Sequence, residues 1–154
     1  MLKADIISPW AVGRFGAERT AEDMQKKMIA PDVAWCDEQK RAYLPVVWPG
    51  FSWHNLRAGQ AKFEQIPRLK GDFLWRQCLA AKQGGATMVY VAMFDELDEG
   101  TAIFKCTSNP PVGESPFLKD AELPSDHYLW LTGQAGRMLR GQLPATPAPP
   151  ARKR

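Results

Sequence analysis

The strongest constraint on the fold of this chain is a threefold alternation between short apolar segments and longer helical patterns. The apolar segments cover residues 4–10, 43–48 and 87–94. Short apolar runs bounded by turn residues are typical of strands buried on both faces, as in parallel sheets. Strands and helices that alternate in this way form parallel βαβ units with right-handed crossovers. The sequence therefore predicts an α/β protein.

Helical regions follow each predicted strand. Thr20 and Asp23 resemble a capping box, which predicts a helix to about residue 30, and Pro31 suits the first position of a second segment. Two further helices are predicted over about 71–83 and 127–140, because glycines that can end a helix follow both. The last helix has an apolar stripe of Tyr128, Leu131, Ala135 and Met138.

The third predicted strand leads directly into a cluster of acids, Asp95, Glu96, Asp98 and Glu99. Parallel strands present functional side chains at their carboxyl ends. Crowded carboxylates repel one another, which tends to raise the pKa of at least one of them. A protonated acid beside an ionised carboxylate is the pair that glycoside hydrolysis requires. A solvated acidic turn, or a site for a hard cation, would give the same pattern.

Aromatic residues are concentrated where the first two predicted strands end. Trp10 closes the first apolar run, and Trp48, Trp53 and His54 lie at and after the end of the second. Aromatic rings stack on the apolar faces of sugars, and they also dominate ordinary protein cores. His54 could donate a hydrogen bond to a sugar hydroxyl or make a structural bond within its loop. The residue types leave both alternatives open.

Composition excludes several classes of function. The formal charge of +3 comes entirely from the last three residues, so no basic face indicates nucleic acid. No apolar stretch approaches the roughly 18 residues that span a membrane, and the start of the chain is too weakly apolar for a signal peptide. The localisation therefore stays open. Three distant cysteines fit neither a zinc site nor a complete disulfide set.

Two architectures are compatible with three βα units. One is a small doubly wound sheet, and the other is a piece of a (β/α)8 barrel, which normally needs about 250 residues. No glycine-rich dinucleotide or phosphate motif is present, so no cofactor is expected. Long loops that carry tryptophans and acids favour the catalytic face of a barrel. We predict one unit over residues 1–143 and a Pro-rich, basic, disordered tail over 144–154.

The acidic segment FDELDEGTAIFK resembles the N-E-x-x-E-G-T-x-I segment of the glycoside hydrolase family 99 and family 71 barrels. The segments DIISPWAVGRF, PVVWPGFSWHN and SDHYLWLTGQAGRMLRG extend the resemblance along the chain. The sequence is similar to bacterial family 99-like or family 71-like hydrolases, often described as xylosidase/arabinosidase. This resemblance implies a partial TIM barrel, about the last three βα units, with parallel strands and helices on the outer side. Met1 would then mark a fragment or a misplaced gene start.

The resemblance also implies roles for two glutamates. Glu96 would deprotonate the sugar 2-hydroxyl to give a 1,2-anhydro intermediate, and Glu99 would protonate the departing glycosidic oxygen. Asp95 stands where the family often has Asn, Leu97 replaces a Trp, and Asp98 replaces a His. These differences bear on the substrate more than on the acid pair. The predicted substrate-binding residues are Asp95, Trp53, His54, Trp48 and Trp10, with no metal.

The predicted function is therefore hydrolysis of a polysaccharide or oligosaccharide by a paired-glutamate site, with this chain as the C-terminal part of the enzyme. One alternative is a non-catalytic carbohydrate-binding relative or an inactive fragment. Another is a metal-assisted hydrolase that uses the acid cluster at 95–99. We expect a carbohydrate as partner, and neither nucleic acid nor membrane. Open strand edges also predict self-association.

Overall fold

A computed structural model describes residues 3–111, 113–120 and 122–152. The elements in chain order are β1 (Ile6–Ile7), α1 (Ala21–Met24), a π-helical segment (Gln25–Ile29), α2 (Ala30–Glu38), β2 (Ala42–Tyr43), β3 (Val46–Val47), a 3-10 turn (Leu69–Gly71), α3 (Asp72–Gln83), β4 (Tyr90–Val91) and α4 (His127–Leu139). No helix within the described part of the chain has the length and apolar character needed to cross a bilayer.

The strands are parallel and adjacent in chain order. β1 pairs with β2, and β3 pairs with β4. The segment that carries β2 and β3 therefore lies between the other two. Pro45 separates β2 from β3, because proline has no N–H to give to a neighbouring strand. Its carbonyl oxygen still accepts a bond from Tyr90 N at 2.9 Å. The ordered pairs are shorter than the predicted strands, but the parallel α/β class is confirmed.

All the helices pack against one face of the strands. Tyr43 packs with α1, the π-helical segment and α2, whereas Val47 and Val91 pack with α3 and α4. On the opposite face, Ile6 is 50% exposed and Tyr90 is 40% exposed. Alternate residues of a strand point to opposite faces, so this pattern fixes the sides of the sheet. The sequence predicts that Val89, Val91 and either Val46 or Val47 face the inside of a barrel, away from the helices. Val89 and Val91 instead pack with the helices, and Val47 is the member of the alternative pair that does so, because alternate residues of a strand point to opposite faces.

The first helical region begins as predicted, and Pro31 lies in the first turn of its second segment, α2, which ends at Glu38. Thr20 Oγ1 accepts a bond from Asp23 N at 3.1 Å, so the cap is confirmed. The chain does not break before Pro31. A bond from Ala30 N to Gln25 O, one residue longer than an α-helical bond, widens the helix just before the proline. A π-helical segment of this kind accommodates the missing N–H and the bulk of the ring.

The helix α3 is joined to the strand that precedes it through a buried glutamine. Gln77 Nε2 donates to Trp48 O at 2.7 Å, and Trp48 N donates to Gln77 Oε1 at 3.3 Å. Both backbone groups at the end of this strand thus have partners even though the ordered pairing has ended. Gln77 therefore fixes the position at which the loop toward Trp53 begins.

The helix α4 agrees with its predicted position, and all four residues of its predicted stripe are buried. Asp126 stands at its N-cap but does not cap it with its side chain. The carboxylate instead accepts two bonds from the Arg152 guanidinium, at 2.8 and 2.9 Å. Trp75 Nε1 also donates to Thr146 O at 2.8 Å. Residues 142–152 form no helix or strand, and these contacts place Thr146 against α3 and Arg152 against the start of α4. The disordered tail over residues 144–154 stays a prediction, and its last two residues lie outside the described part of the chain.

Candidate active site

The loops that follow the three strand regions meet at the carboxyl ends of the strands. Ser52 N donates to Glu99 O at 2.8 Å, which joins the second loop to the acidic turn. Asn55 Nδ2 donates to Asp98 O at 3.1 Å across the same junction. The ring of Trp53 lies against Gly13 in the first loop, the one that follows β1. The acidic turn therefore lies beside the loop that follows β3, and that loop in turn contacts the first loop through Trp53.

Hydrogen bonds within the acidic turn close it on itself. The carbonyl of Glu96 accepts bonds from Thr101 N at 3.2 Å, from Ala102 N at 3.1 Å and from Thr101 Oγ1 at 3.3 Å. Gly100 N donates to Leu97 O at 3.1 Å. Gly100 has φ +70, the left-handed conformation that a tight turn of this kind needs. This curl allows residues three apart, Glu96 and Glu99, to come together, as the sequence predicts.

The turn raises the pKa of Glu99. Partial burial is the largest cause, and the negative charges of Glu96 and Asp98 and a hydrogen bond with the Glu96 side chain act in the same direction. A carboxyl with a raised pKa holds its proton at higher pH, which is what a general acid requires.

A buried arginine supports the turn from the side away from solvent. Arg68 is 7% exposed, and its Nε donates to Gly100 O at 2.9 Å while Nη2 donates to Ala102 O at 2.9 Å. Its Nη1 pairs with Asp120 Oδ2 at 2.8 Å. The guanidinium carbon lies 4.4 Å from the centre of the Tyr128 ring. No local pattern in the sequence indicates this residue, because its partners lie far away along the chain.

Trp48 does not lie where a substrate could reach it. Its side chain is 0% exposed and packs against Phe15, with ring centroids 4.6 Å apart, and Phe73, with centroids 5.7 Å apart. The bonds with Gln77 hold it at the top of α3. Trp48 is therefore a core residue, which differs from its predicted contact with substrate. The physical reason is that an aromatic residue at a strand end can pack inward beneath the loop that follows it.

His54 makes structural contacts within its own loop. Its Nδ1 lies 2.7 Å from Ala61 O, and its ring stacks on Phe63 with centroids 3.9 Å apart. The residue therefore adopts the loop-stabilising alternative left open by the sequence. A sugar contact through its other ring nitrogen stays a prediction.

Trp10 and Trp53 are the two tryptophans of the predicted set with exposed surface. Trp10 is 50% exposed, and its ring centroid lies 6.3 Å from that of Tyr90 on the helix-free face. It borders a cavity of about 260 Å³ beneath the first loop. Trp53 is half-buried, with its ring centroid 4.6 Å from that of Phe51. A Cβ added to Gly13 would lie only 2.9 Å from the Trp53 ring, so a side chain there would displace it.

Asp95 is exposed at the start of the acidic turn, and its role in substrate binding stays a prediction. Within residues 3–111, 113–120 and 122–152, no three His, Cys, Asp or Glu side chains converge so that they could hold a metal ion.

The fold resembles that of two structures of an endo-α-mannosidase from Bacteroides thetaiotaomicron, of glycoside hydrolase family 99. One structure matches with a TM-score of 0.69 over 89% of this chain and 38% of that one. The complex with bis-tris-propane matches with a TM-score of 0.62 over 79% of this chain and 37% of that one. Both are 22% identical in sequence to this chain.

These neighbours confirm a family 99-like fold for the part of the chain that they match. The chain spans somewhat over a third of the length of each neighbouring structure. The sequence matches no protein-family model and none of the curated proteins with which it was compared. Both neighbours are named as members of family 99, so the resemblance to family 71 and to xylosidase/arabinosidase proteins stays a prediction.

Proposed function

We propose that this chain is the C-terminal part of a (β/α)8 glycoside hydrolase that acts on an oligosaccharide or polysaccharide. The observation that carries the proposal is the turn that brings Glu96 and Glu99 together with a raised pKa on Glu99. Parallel strands with helices on one face, and the likeness to family 99 structures, support the barrel context. The domain predicted over residues 1–143 would supply about three of the eight βα units.

In this proposal Glu99 protonates the departing glycosidic oxygen. Glu96 acts as the base, and it removes the proton of the 2-hydroxyl so that an anhydro sugar forms. Half-exposed Trp10 and partly exposed Trp53 would stack on sugar rings. Because the fold neighbours are endo-α-mannosidases, α-mannosides are the first substrates to test.

The test uses this chain joined to the strands and helices that complete the barrel. We expect Glu99→Gln to reduce hydrolysis of a substrate with a poor leaving group by roughly 10²–10⁴-fold, and Glu96→Gln to reduce it whatever the leaving group. Glu114→Gln, at an exposed glutamate outside the turn, serves as the matched control. Near-normal turnover by either of the first two variants would exclude the acid pair.

A second candidate function is carbohydrate binding without catalysis. The exposed aromatic rings of Trp10, Tyr90 and Phe94 favour it, because such rings can bind sugars without any acid chemistry. In that case the glutamine variants would retain binding and the completed barrel would show no turnover. The metal-assisted alternative is disfavoured by the described residues, which contain no converging set of three ligands.

A further inference from the structure

We propose that Arg68 is a positioning residue that holds the turn carrying Glu96 and Glu99 in its working geometry. The inference rests on the proposed function, since it concerns how the acid pair is aimed. Arg68 lies below the turn and is largely buried: its side chain is 9% exposed, and its three donor groups are all directed at protein oxygens.

Arg68 completes the hydrogen bonding of the turn. Every carbonyl oxygen from Glu96 to Ala102 has a donor. Most of these donors are backbone groups or a neutral amide, and Arg68 alone binds two of the carbonyls at once. A planar guanidinium donates in fixed directions, so it sets the spacing of the Gly100 and Ala102 carbonyls as well as their position.

Arg68 is itself held in place by several contacts. Asp120 Oδ2 pairs with Nη1 of the Arg68 guanidinium at 2.8 Å, and the Tyr128 ring of α4 packs against the flat face of the guanidinium. Its backbone N donates to Glu64 Oε1 at 3.1 Å. A Cβ added to Gly50 would approach Arg68 Cγ to 2.7 Å, so the chain beside it is closely packed. Because Arg68 contacts α4, the second loop and the acidic turn, it fixes where the acid pair lies relative to the first two.

The positive charge of Arg68 is balanced by the carboxylate of Asp120. A lone guanidinium close to the acid pair would favour the ionised form of Glu99 and oppose its role as a proton donor. Asp120 pairs with Arg68, and so the cation is neutralised locally while the donor geometry is kept. This arrangement agrees with the raised pKa of Glu99, for which no effect of Arg68 is among the causes.

The experiment compares Arg68→Lys with Arg76→Lys in the isolated chain. Arg76 is a matched control, because its Nη1 also donates to two loop carbonyls, Ala17 O at 3.0 Å and Arg19 O at 2.9 Å. It also pairs with a carboxylate, that of Asp72, but it lies away from the acidic turn. Lysine keeps the positive charge but lacks the several donor groups of the planar guanidinium, so both variants should have a lower melting temperature than the wild type.

The distinguishing measurements are amide hydrogen exchange and a carboxyl NMR titration of Glu99. In R68K, the amides of Thr101 and Ala102 should exchange about 10–100-fold faster, because the bonds that hold their turn are lost. The apparent pKa of Glu99 should fall, because a looser turn exposes its side chain. R76K should change neither. Wild-type exchange and titration in R68K would overturn the proposal and leave Arg68 a purely structural residue.

A second variant keeps the test decisive if R68K fails to fold. Asp120→Asn retains the guanidinium and removes a partly exposed partner, and it should lower the apparent pKa of Glu99 through the uncompensated charge. An unchanged titration in D120N would contradict the proposal. Neither measurement needs turnover, so the two claims can fail separately: an inactive E99Q with an undisturbed turn in R68K would reject only the role of Arg68.

Discussion

Glu99 is held in an environment that disfavours its charged form. Burial is the main cause, and the carboxylates of Glu96 and Asp98 act in the same direction. The folded chain therefore binds this proton more tightly than the unfolded chain does. It follows that the free energy of unfolding falls as the pH rises from the ordinary glutamate pKa through the raised pKa of Glu99. The proposed acid thus costs stability at neutral pH.

We expect Glu99→Gln to raise the melting temperature near pH 7, because the glutamine is neutral and keeps the shape of the protonated acid. Below about pH 4 the wild-type side chain is largely protonated in both states, and the advantage should vanish. Thermal melts at the two pH values measure this difference. Glu114→Gln is the control, and a fall in melting temperature of E99Q at neutral pH would contradict the account.

Trp53 is half-buried, so its ring has both packed and exposed surface. Truncation to alanine should lower stability by less than the about 3–5 kcal/mol that a fully buried tryptophan costs. It should also weaken retention of α-mannan oligosaccharides. Trp35→Ala, on the outer surface of α2 and 44% exposed, is the control that should change neither. Wild-type oligosaccharide binding by W53A would remove Trp53 from the proposed binding surface.

At the scale of elements, the link between α3 and the strand that precedes it depends on one side chain. Replacing Gln77 with methionine would leave the buried N–H and C=O of Trp48 without partners. We expect a loss of about 1–3 kcal/mol in the free energy of unfolding, measured by denaturant titration. Gln83→Met, at the exposed end of the same helix, is the matched control. Equal stability of the two variants would refute the structural role of Gln77.

Local signals predict the helices well. The Thr20 cap, the glycines after α3 and α4, and the stripe of α4 act over a few residues, and the structure confirms each of them. Long-range partners are not predictable in this way. Arg68 Nε meets a carbonyl 32 residues away, and Gln77 meets one 29 residues away. Nothing near either residue marks it as special.

In the candidate site, too, features set by neighbouring residues could be predicted, whereas features set by distant contacts could not. The acid pair and the turn at Gly100 follow from residues adjacent in sequence, so they could be predicted. The strand-end tryptophans could not be separated into core and surface, because that depends on how each loop folds back. Trp48 turned inward onto Phe15 and Phe73, whereas Trp10 remained half exposed.

At the scale of the whole molecule, one face of the sheet carries no helix formed by the described residues. Exposed apolar side chains lie there and at the ends of the strands: Ile6 at 50%, Trp10 at 50%, Tyr90 at 40% and Phe94 at 59% exposed. β1 and β4 each pair with a neighbour on one side only in the described residues. Open edges beside an apolar face favour association. We refer to these four residues as the open face.

We expect the isolated chain to self-associate through the open face, as measured by sedimentation velocity over a range of concentrations. Tyr90→Lys should shift the distribution toward the monomer, because a charge in the centre of the face opposes burial. Leu129→Lys, at a 43% exposed position on α4, should have no such effect. A wild-type chain that stays monomeric at all concentrations would contradict this expectation and weaken the case for an incomplete barrel.

The most direct test of the central claim is a carboxyl NMR titration of Glu99 in the wild-type chain and in Glu96→Gln. The account predicts an apparent pKa above the ordinary value of about 4.3 in the wild type, and a lower one in E96Q, where burial remains but the neighbouring charge is gone. An ordinary apparent pKa for Glu99 that does not change in E96Q would show that the two carboxyls do not form an interacting acid pair.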